Sequence, residues 1–224
     1  MMKTPVVLCF ALALAGCATK KTDVRNEAEI AKFDPETTAR IRLITGDGVK
    51  GGFASGLTCE TVLSGSSSRD LRIHDAWRQA HLDGPGIAPW RDTDSQNTSV
   101  GVPASSASKE INSTRKQYDE YVVPANQTLI VQLAAVGSYT CDPSPLLVTP
   151  EPGRNYEFQL EYFLQGISGK CAISAKKLDD LAGVTVEVPL RTKLCSRAQD
   201  GKFVTVDPLQ VGLEKPTSDT AQKQ

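Results

Sequence analysis

Residues able to do acid–base or metal chemistry are few in this chain, and its two histidines are His74 and His81. Paired histidine ligands on a helix usually stand four residues apart, whereas these stand seven apart, so a metal would need a carboxylate such as Asp70 or Asp75. A Ser–His–Asp set would have to use one of the same histidines. The sequence lacks a Gly-x-Ser-x-Gly motif. We therefore expect no catalytic residue, metal site or cofactor; the alternative is a hydrolase or metal-dependent enzyme that uses both histidines.

The balance of charge excludes one broad class of partner. The 224 residues carry 25 basic and 26 acidic side chains, which gives a net charge of −1. Nucleic-acid binding normally needs a clustered basic surface, so we expect no nucleic-acid partner. Hydrophobic residues make up 40% and charged residues 23% of the chain, which is typical of a globular domain and not of a multi-span membrane protein.

The amino terminus has the pattern of an export signal. Lys3 precedes an apolar stretch of about ten residues, whereas a membrane-spanning helix needs about 20. Residues 14–17, Leu-Ala-Gly-Cys, resemble the lipobox of bacterial lipoproteins. The resemblance implies that residues 1–16 are a signal peptide and that acyl chains on Cys17 anchor the protein to a membrane. By the same resemblance, Ala18 favours the outer membrane, where we expect the domain to face the periplasm. An ordinary secretory signal that contains a cysteine is the alternative.

Four cysteines remain after that cleavage, namely Cys59, Cys141, Cys171 and Cys195. An even number of cysteines in an exported chain predicts disulfides, because the periplasm oxidises thiols. A four-thiolate zinc site would need closely spaced cysteine pairs, which these wide separations do not supply. Three pairings are open. The short loop between Cys171 and Cys195 favours that pair, together with Cys59–Cys141.

The elements that must position these residues are mainly strands. Short alternating runs separated by turns favour a mainly β protein, an antiparallel β-sandwich. Residues 46–48, Gly-Asp-Gly, predict a turn that joins two of the strands into a hairpin. One short helix is predicted over residues 69–82, because its apolar residues follow the i, i+3, i+4, i+7 spacing of a buried stripe. The predicted strands are residues 39–45, 49–55, 128–134, 146–149, 156–164, 171–178 and 184–190.

Composition divides the mature chain into three parts. Residues 17–38 are polar and charged, which predicts a lipidated tether that lifts the domain off the membrane. Residues 39–210 contain the strand patterns and form the predicted sandwich domain. Residues 211–224 are predicted to be a disordered polar tail.

One long segment of the predicted domain has no strand pattern. Residues 83–116 are rich in Gly, Pro, Ser, Thr and Asn, which predicts an irregular loop and favours disorder over an ordered functional loop. Trp90 lies in this segment beside Arg91. Tryptophan and arginine are enriched at binding hot spots, so the pair is the predicted partner contact.

Several runs of the folded part resemble a group of uncharacterised proteobacterial envelope lipoproteins with a lipobox and four further cysteines. The Pro-Ala-Asn-Gln and Pro-Gly-x-x-Tyr turns are also similar to small PEGA-like or transthyretin-like β-sandwiches. These resemblances imply a fold and a location, and no activity. The matching runs are residues 39–43, 97–103, 118–124 and 149–157, with Cys59, Cys141 and Cys171 at the expected places between them.

Taken together, the patterns predict a non-enzymatic lipoprotein of the cell envelope, anchored by its acyl chains and acting by binding or scaffolding an envelope protein. Residues 83–116 are the expected contact region. Carbohydrate or peptidoglycan binding through Trp90 and tyrosines is a further alternative, which rests on the sandwich fold, and a fold by itself implies no function.

Overall fold

The computed structural model describes residues 22–63, 77–80, 96–111, 114, 116–135, 140–165 and 168–207. These residues form 13 strands and three short helices. The strands are β1 Thr22–Arg25, β2 Thr38–Gly46, β3 Val49–Ser55, β4 Arg78–Ala80, β5 Gln96–Ser99, β6 Lys116–Pro124, β7 Leu129–Ala135, β8 Leu146–Val148, β9 Asn155–Gln165, β10 Ser168–Leu181, β11 Val184–Pro189, β12 Lys193–Arg197 and β13 Phe203–Val206. The helices are α1 Glu27–Ile30, α2 Cys59–Leu63 and α3 Ser106–Glu110. The prediction of a mainly β fold is confirmed.

The strands form two layers that meet at one point. The first layer has the order β1-β5-β6-β2-β9-β10-β11, and the second has the order β4-β3-β7-β8-β12-β13. The single residue pair Gly46–Val49 joins β2 to β3 and so connects the layers. Most neighbouring strands are antiparallel, but the pairs β1–β5, β5–β6 and β2–β9 are parallel. The sheet is therefore mixed, whereas the sequence pattern predicted an antiparallel one.

The main hydrophobic core lies between the two layers. Ile41 and Leu43 of β2 are fully buried, because alternate residues of a strand point to the same face. They pack with Phe158 of β9 and, from the second layer, with Phe53 and Leu133. Side chains of both layers therefore share one core, as in a β-sandwich.

The predicted hairpin between β2 and β3 has the right strands and the wrong pairing. Gly46, Asp47 and Gly48 all have positive φ, and the chain turns there as expected. Beyond the turn the strands separate, because β2 pairs along nine residues with β6 and β3 pairs along seven residues with β7. Strand β2 thus forms a longer ladder than the predicted seven-residue hairpin would have allowed, and β3 forms one of equal length.

The helix predicted over residues 69–82 is wrong where the structure describes it. Arg78–Ala80 is strand β4 and pairs with residues 51–53 of β3. Residue 52 is glycine, and a Cβ at this position would collide with the carbonyl oxygen of Arg78. The close approach of the two backbones therefore depends on that glycine, a signal that helical periodicity does not contain. Residues 69–76, 81 and 82 of the predicted helix lie outside the described residues.

The predicted tether also needs correction, because residues 22–38 belong to the folded domain. Strand β1 pairs with β5, and Glu29 of α1 is only 3% exposed. The carboxylate of Glu29 accepts hydrogen bonds from Arg78 Nη1 at 2.9 Å, from Lys32 Nζ at 2.6 Å and from Val122 N–H at 3.0 Å. Burial raises the pKa of Glu29, but these hydrogen bonds outweigh it and hold the pKa below its ordinary value.

The long loop predicted over residues 83–116 is in part regular structure. It contains β5 and α3, and Ile111 at its end is 2% exposed. Ser105 caps α3 by accepting a hydrogen bond from Ser108 N–H, so the serines that suggested disorder form a helix start. Residues 81–95 lie outside the described part of the chain.

Candidate functional site: a cleft between the layers

A row of three buried charges crosses the outer face of the first layer. Arg42 of β2 lies opposite Glu120 of β6 and opposite Glu157 of β9, so the register of the sheet brings the three side chains together. Arg42 Nη2 is 2.7 Å from Glu120 Oε1, and Arg42 Nη1 is 3.0 Å from Glu157 Oε2. The three side chains are at most 2% exposed. Charges this deeply buried need partners, and each of them has one here.

The same three charges hold the segment from Ser99 to Ser105 against the sheet. Glu120 Oε2 accepts hydrogen bonds from the N–H groups of three successive residues, 100–102, at 2.7, 2.9 and 3.0 Å. Arg42 donates to the carbonyl oxygens of Val102 and Pro103, and the hydroxyl of Ser105 donates to Glu157. This cluster therefore orders backbone that has no strand partner, and its role is structural.

Helix α3 is fastened to the neighbouring strands by a further carboxylate. The hydroxyl and the N–H of Ser106 both donate to Glu187 Oε1 at 2.6 Å, and Lys176 Nζ donates to Glu187 Oε2 at 2.9 Å. These hydrogen bonds, with those from Ser106 first, lower the pKa of Glu187 to about 2. The carboxylate thus remains ionised in the folded protein at pH values where an ordinary glutamate has become neutral.

Replacing Glu187 with glutamine is expected to lower the free energy of unfolding by about 1–2 kcal/mol at neutral pH, because the charge-assisted hydrogen bonds are lost. The pKa of Glu187 is lowered by folding, so its contribution is complete above the ordinary value of 4.5 and disappears as the pH falls through about 2. The difference between wild type and E187Q should therefore shrink between these two pH values in urea titrations. Glu60→Gln, at an exposed site, is the control, and a pH-independent difference would contradict the assignment.

A cleft of about 600 Å³ opens between the layers near the start of β10. One wall is formed by residues 171–173 of β10, and the other by residues 190–192, where the chain crosses from β11 to β12, with Leu194 of β12. Pro143, Ser144 and Asp207 complete the lining. The volume lies within the range of small-molecule pockets, and the lining combines apolar side chains with a few polar ones.

A disulfide fixes one wall of this cleft. Cys171 of β10 is bonded to Cys141, with the two Cα atoms 6.3 Å apart. Cys141 pairs with Ala135 at the end of β7, so this disulfide connects the second layer to the first. Because Cys171 itself lines the cleft, the position of β10 at this point is held covalently.

All four cysteines form disulfides as predicted, but the pairing expected from loop length is wrong. The second bond joins Cys59 to Cys195, with Cα atoms 5.3 Å apart, and not Cys171 to Cys195. Both residues of this bond lie in one small core with Ile130 and Leu147. The topology carries β12 next to β8 in the second layer, so Cys195 is nearer to α2 than to β10. The number of residues between two cysteines does not indicate which layer each of them belongs to.

The other predicted site residues lie outside the described part of the chain. These are the lipidation site Cys17, the partner contacts Trp90 and Arg91, and the histidines His74 and His81. Within the described ranges no group of three metal-ligating side chains occurs, and no helix there is long and apolar enough to cross a membrane. The cleft was missed from the sequence, because its lining comes from five separate segments.

Comparison with protein-family models, with curated proteins and with solved structures finds no match to this chain. The resemblance to envelope lipoproteins and to PEGA-like or transthyretin-like sandwiches therefore stays a prediction. A function has to be inferred from the two-layered fold, the two disulfides and the cleft that one of them borders.

Proposed function

We propose that this protein is a non-enzymatic binding or scaffolding domain of the cell envelope, held at the outer membrane by acyl chains on Cys17. The cleft between β10 and β12 is the binding surface in this proposal, and its partner is an envelope protein. The observation that carries the proposal is a pocket of about 600 Å³ whose wall is fixed by the Cys141–Cys171 disulfide. A preformed pocket loses little conformational entropy when it binds a partner.

Two further observations support this proposal. Disulfides persist in oxidising compartments, and two disulfides fit a domain exported to the periplasm. In addition, the buried carboxylates Glu29, Glu120 and Glu157 are all engaged in hydrogen bonds that hold the fold together. These hydrogen bonds explain why the three carboxylates are buried, and a reaction with a substrate is not needed to explain it.

Photo-cross-linking in intact cells tests the proposed binding surface. A photoreactive amino acid at position 172, an exposed residue that lines the cleft, is expected to capture a defined envelope protein that mass spectrometry can identify. The matched control is the same amino acid at the exposed Glu36. Glu36 precedes β2, whose Arg40 pairs with Asn155, whereas Cys171 pairs with Tyr162 much further along β9, so the control is remote from the cleft.

Equal capture from both positions, or none from position 172, would contradict the proposal. The anchor is tested in the same strain by Cys17→Ala, which is expected to move the protein from the membrane fraction to the soluble periplasmic fraction. Intact-mass analysis of the wild type should then show the added acyl chains. A Cys17→Ala protein that stays with the membrane would refute the lipid anchor and leave the result on the cleft unchanged.

A further inference from the structure

The cleft contains a length of strand edge without a strand partner. All of β9 pairs with β10, along the residues of β10 from Ser168 to Leu178. On the other side, β11 pairs with β10 only from Lys176 onwards. The last hydrogen bond on that side is donated by Leu190 N–H to the carbonyl oxygen of Ala175, at 2.9 Å. Among the described strands, none continues this side of β10 beyond Ala175.

The backbone of β10 turns specific groups toward that open edge. In an antiparallel strand each residue directs both its N–H and its C=O to one neighbour, and the next residue directs them to the other neighbour. Ala175 faces the side of β11, so Ile173 and Cys171 face the same side, and both line the cleft. Ala172 and Ser174 face β9. Backbone groups need hydrogen-bond partners, and within the described ranges no backbone group pairs with those of Cys171 and Ile173 on this side.

The side chains around this edge include two charged groups, Arg191 and Asp207, and an apolar surface. Arg191 is exposed at the cleft and forms no ion pair with any residue in the described ranges. Leu190 and Leu194 are half-buried beside it and pack against the main core. A planar guanidinium is suited to bidentate binding of a carboxylate.

We propose that the cleft binds a short extended peptide segment of another envelope protein, which adds as a strand to the open edge of β10 and places a carboxylate on Arg191. The inference rests on the proposed function, since it names the partner chemistry of the same cleft. Cys171 and Ile173 supply up to four hydrogen bonds, two from each residue, and alternate side chains of the peptide rest on Leu190 and Leu194. At about 3.3 Å per residue, a segment of roughly four to six residues spans this edge.

Peptide selection tests this inference with the full-length chain in detergent and a random hexapeptide library displayed on phage. We expect the selected peptides to share an acidic residue. Arg191→Gln should weaken binding of a synthetic selected peptide about tenfold, and so should changing its acid to the amide. The two changes together should be no worse than either alone. Arg25→Gln, on the far edge of the first layer, is the control that should have no effect.

Hydrogen exchange measured by NMR gives a second readout that a merely electrostatic contact would not move. On addition of the selected peptide, the exchange rates of the Cys171 and Ile173 amide hydrogens should fall about tenfold. The exchange rates of the Ala172 and Ser174 amide hydrogens should not change. Failure to select any peptide, an unaltered affinity in Arg191→Gln, or protection without this alternation would overturn the inference. Cross-linking from position 172 that persists in such a case would leave the proposed function standing.

Two other possible occupants of the cleft would give different experimental results. Self-association of the chain with protection of Thr185 and Glu187 in β11, and without added peptide, would identify a second copy as the partner. If Cys171 and Ile173 were protected in the full-length chain and exchanged freely in a chain that ends at Asp207, the occupant would be residues 208–224. Either result would overturn the binding of a separate peptide.

Discussion

Replacing Arg42 with methionine is expected to lower the free energy of unfolding by about 3–5 kcal/mol. The substitution keeps most of the side-chain volume but removes the cation that lies between Glu120 and Glu157. Two carboxylates, on the strands that flank β2, would then remain buried without a compensating charge. The loss also frees the carbonyl oxygens of Val102 and Pro103 from their donors. Urea denaturation followed by circular dichroism measures the change.

A matched control separates burial from the removal of an arginine as such. Arg25 forms an ion pair with Glu27, but the two side chains are 68% and 72% exposed. Arg25→Met should therefore change the free energy of unfolding by no more than about 1 kcal/mol. Adding Glu157→Gln to Arg42→Met should recover part of the loss, because one buried charge is removed. A loss below about 1 kcal/mol in Arg42→Met would contradict the structural role of the row.

Removal of the Cys59–Cys195 disulfide is expected to cost more stability than removal of the Cys141–Cys171 disulfide. The first bond closes a sequence separation of 136 residues and the second one of 30 residues. Chain entropy alone then predicts losses of about 5 and about 3.6 kcal/mol. Burial acts in the same direction, since Cys59 and Cys195 are 3% and 2% exposed and the other two cysteines are half-buried.

The measurement compares two double variants, Cys59→Ala with Cys195→Ala, and Cys141→Ala with Cys171→Ala. Wild-type protein unfolded with and without a reducing agent gives the combined effect of both bonds. The longer-range variant should have the lower midpoint in urea at equal slope. The reverse order, with the variant that lacks Cys141 and Cys171 less stable, would mean that strain or the joining of the layers outweighs loop length.

Local sequence pattern predicted seven of the 13 described strands, but it did not predict which strands pair. The predicted range 49–55 coincides with β3, and 39–45 lies within β2, because alternation and a Gly-Asp-Gly turn are local signals. The partners of these strands are β6, β7 and β9, which are chosen by the packing of the whole domain. Strand β4 was mistaken for a helix because three residues show no alternation, and their contact with β3 depends on a glycine elsewhere in the chain.

The candidate site was less accessible to sequence reasoning than the fold. The bonded state of the four cysteines was predicted from their number and from the predicted export signal, but the pairing depends on which layer each strand joins. Arg191 has no distinctive neighbours in sequence, and it becomes a candidate binding residue only because the fold places it beside the open edge of β10.

The row of Glu120, Arg42 and Glu157 also bears on the order in which the molecule assembles. Its two ion pairs join residues that are 78 and 115 positions apart in sequence. While the chain emerges, Arg42 gains its first carboxylate only with β6 and its second only with β9. Contacts so distant form late and make folding slow. Until both strands are in place Arg42 lacks a carboxylate that it needs for burial, so the packing of the outer face of β2 depends on β6 and β9.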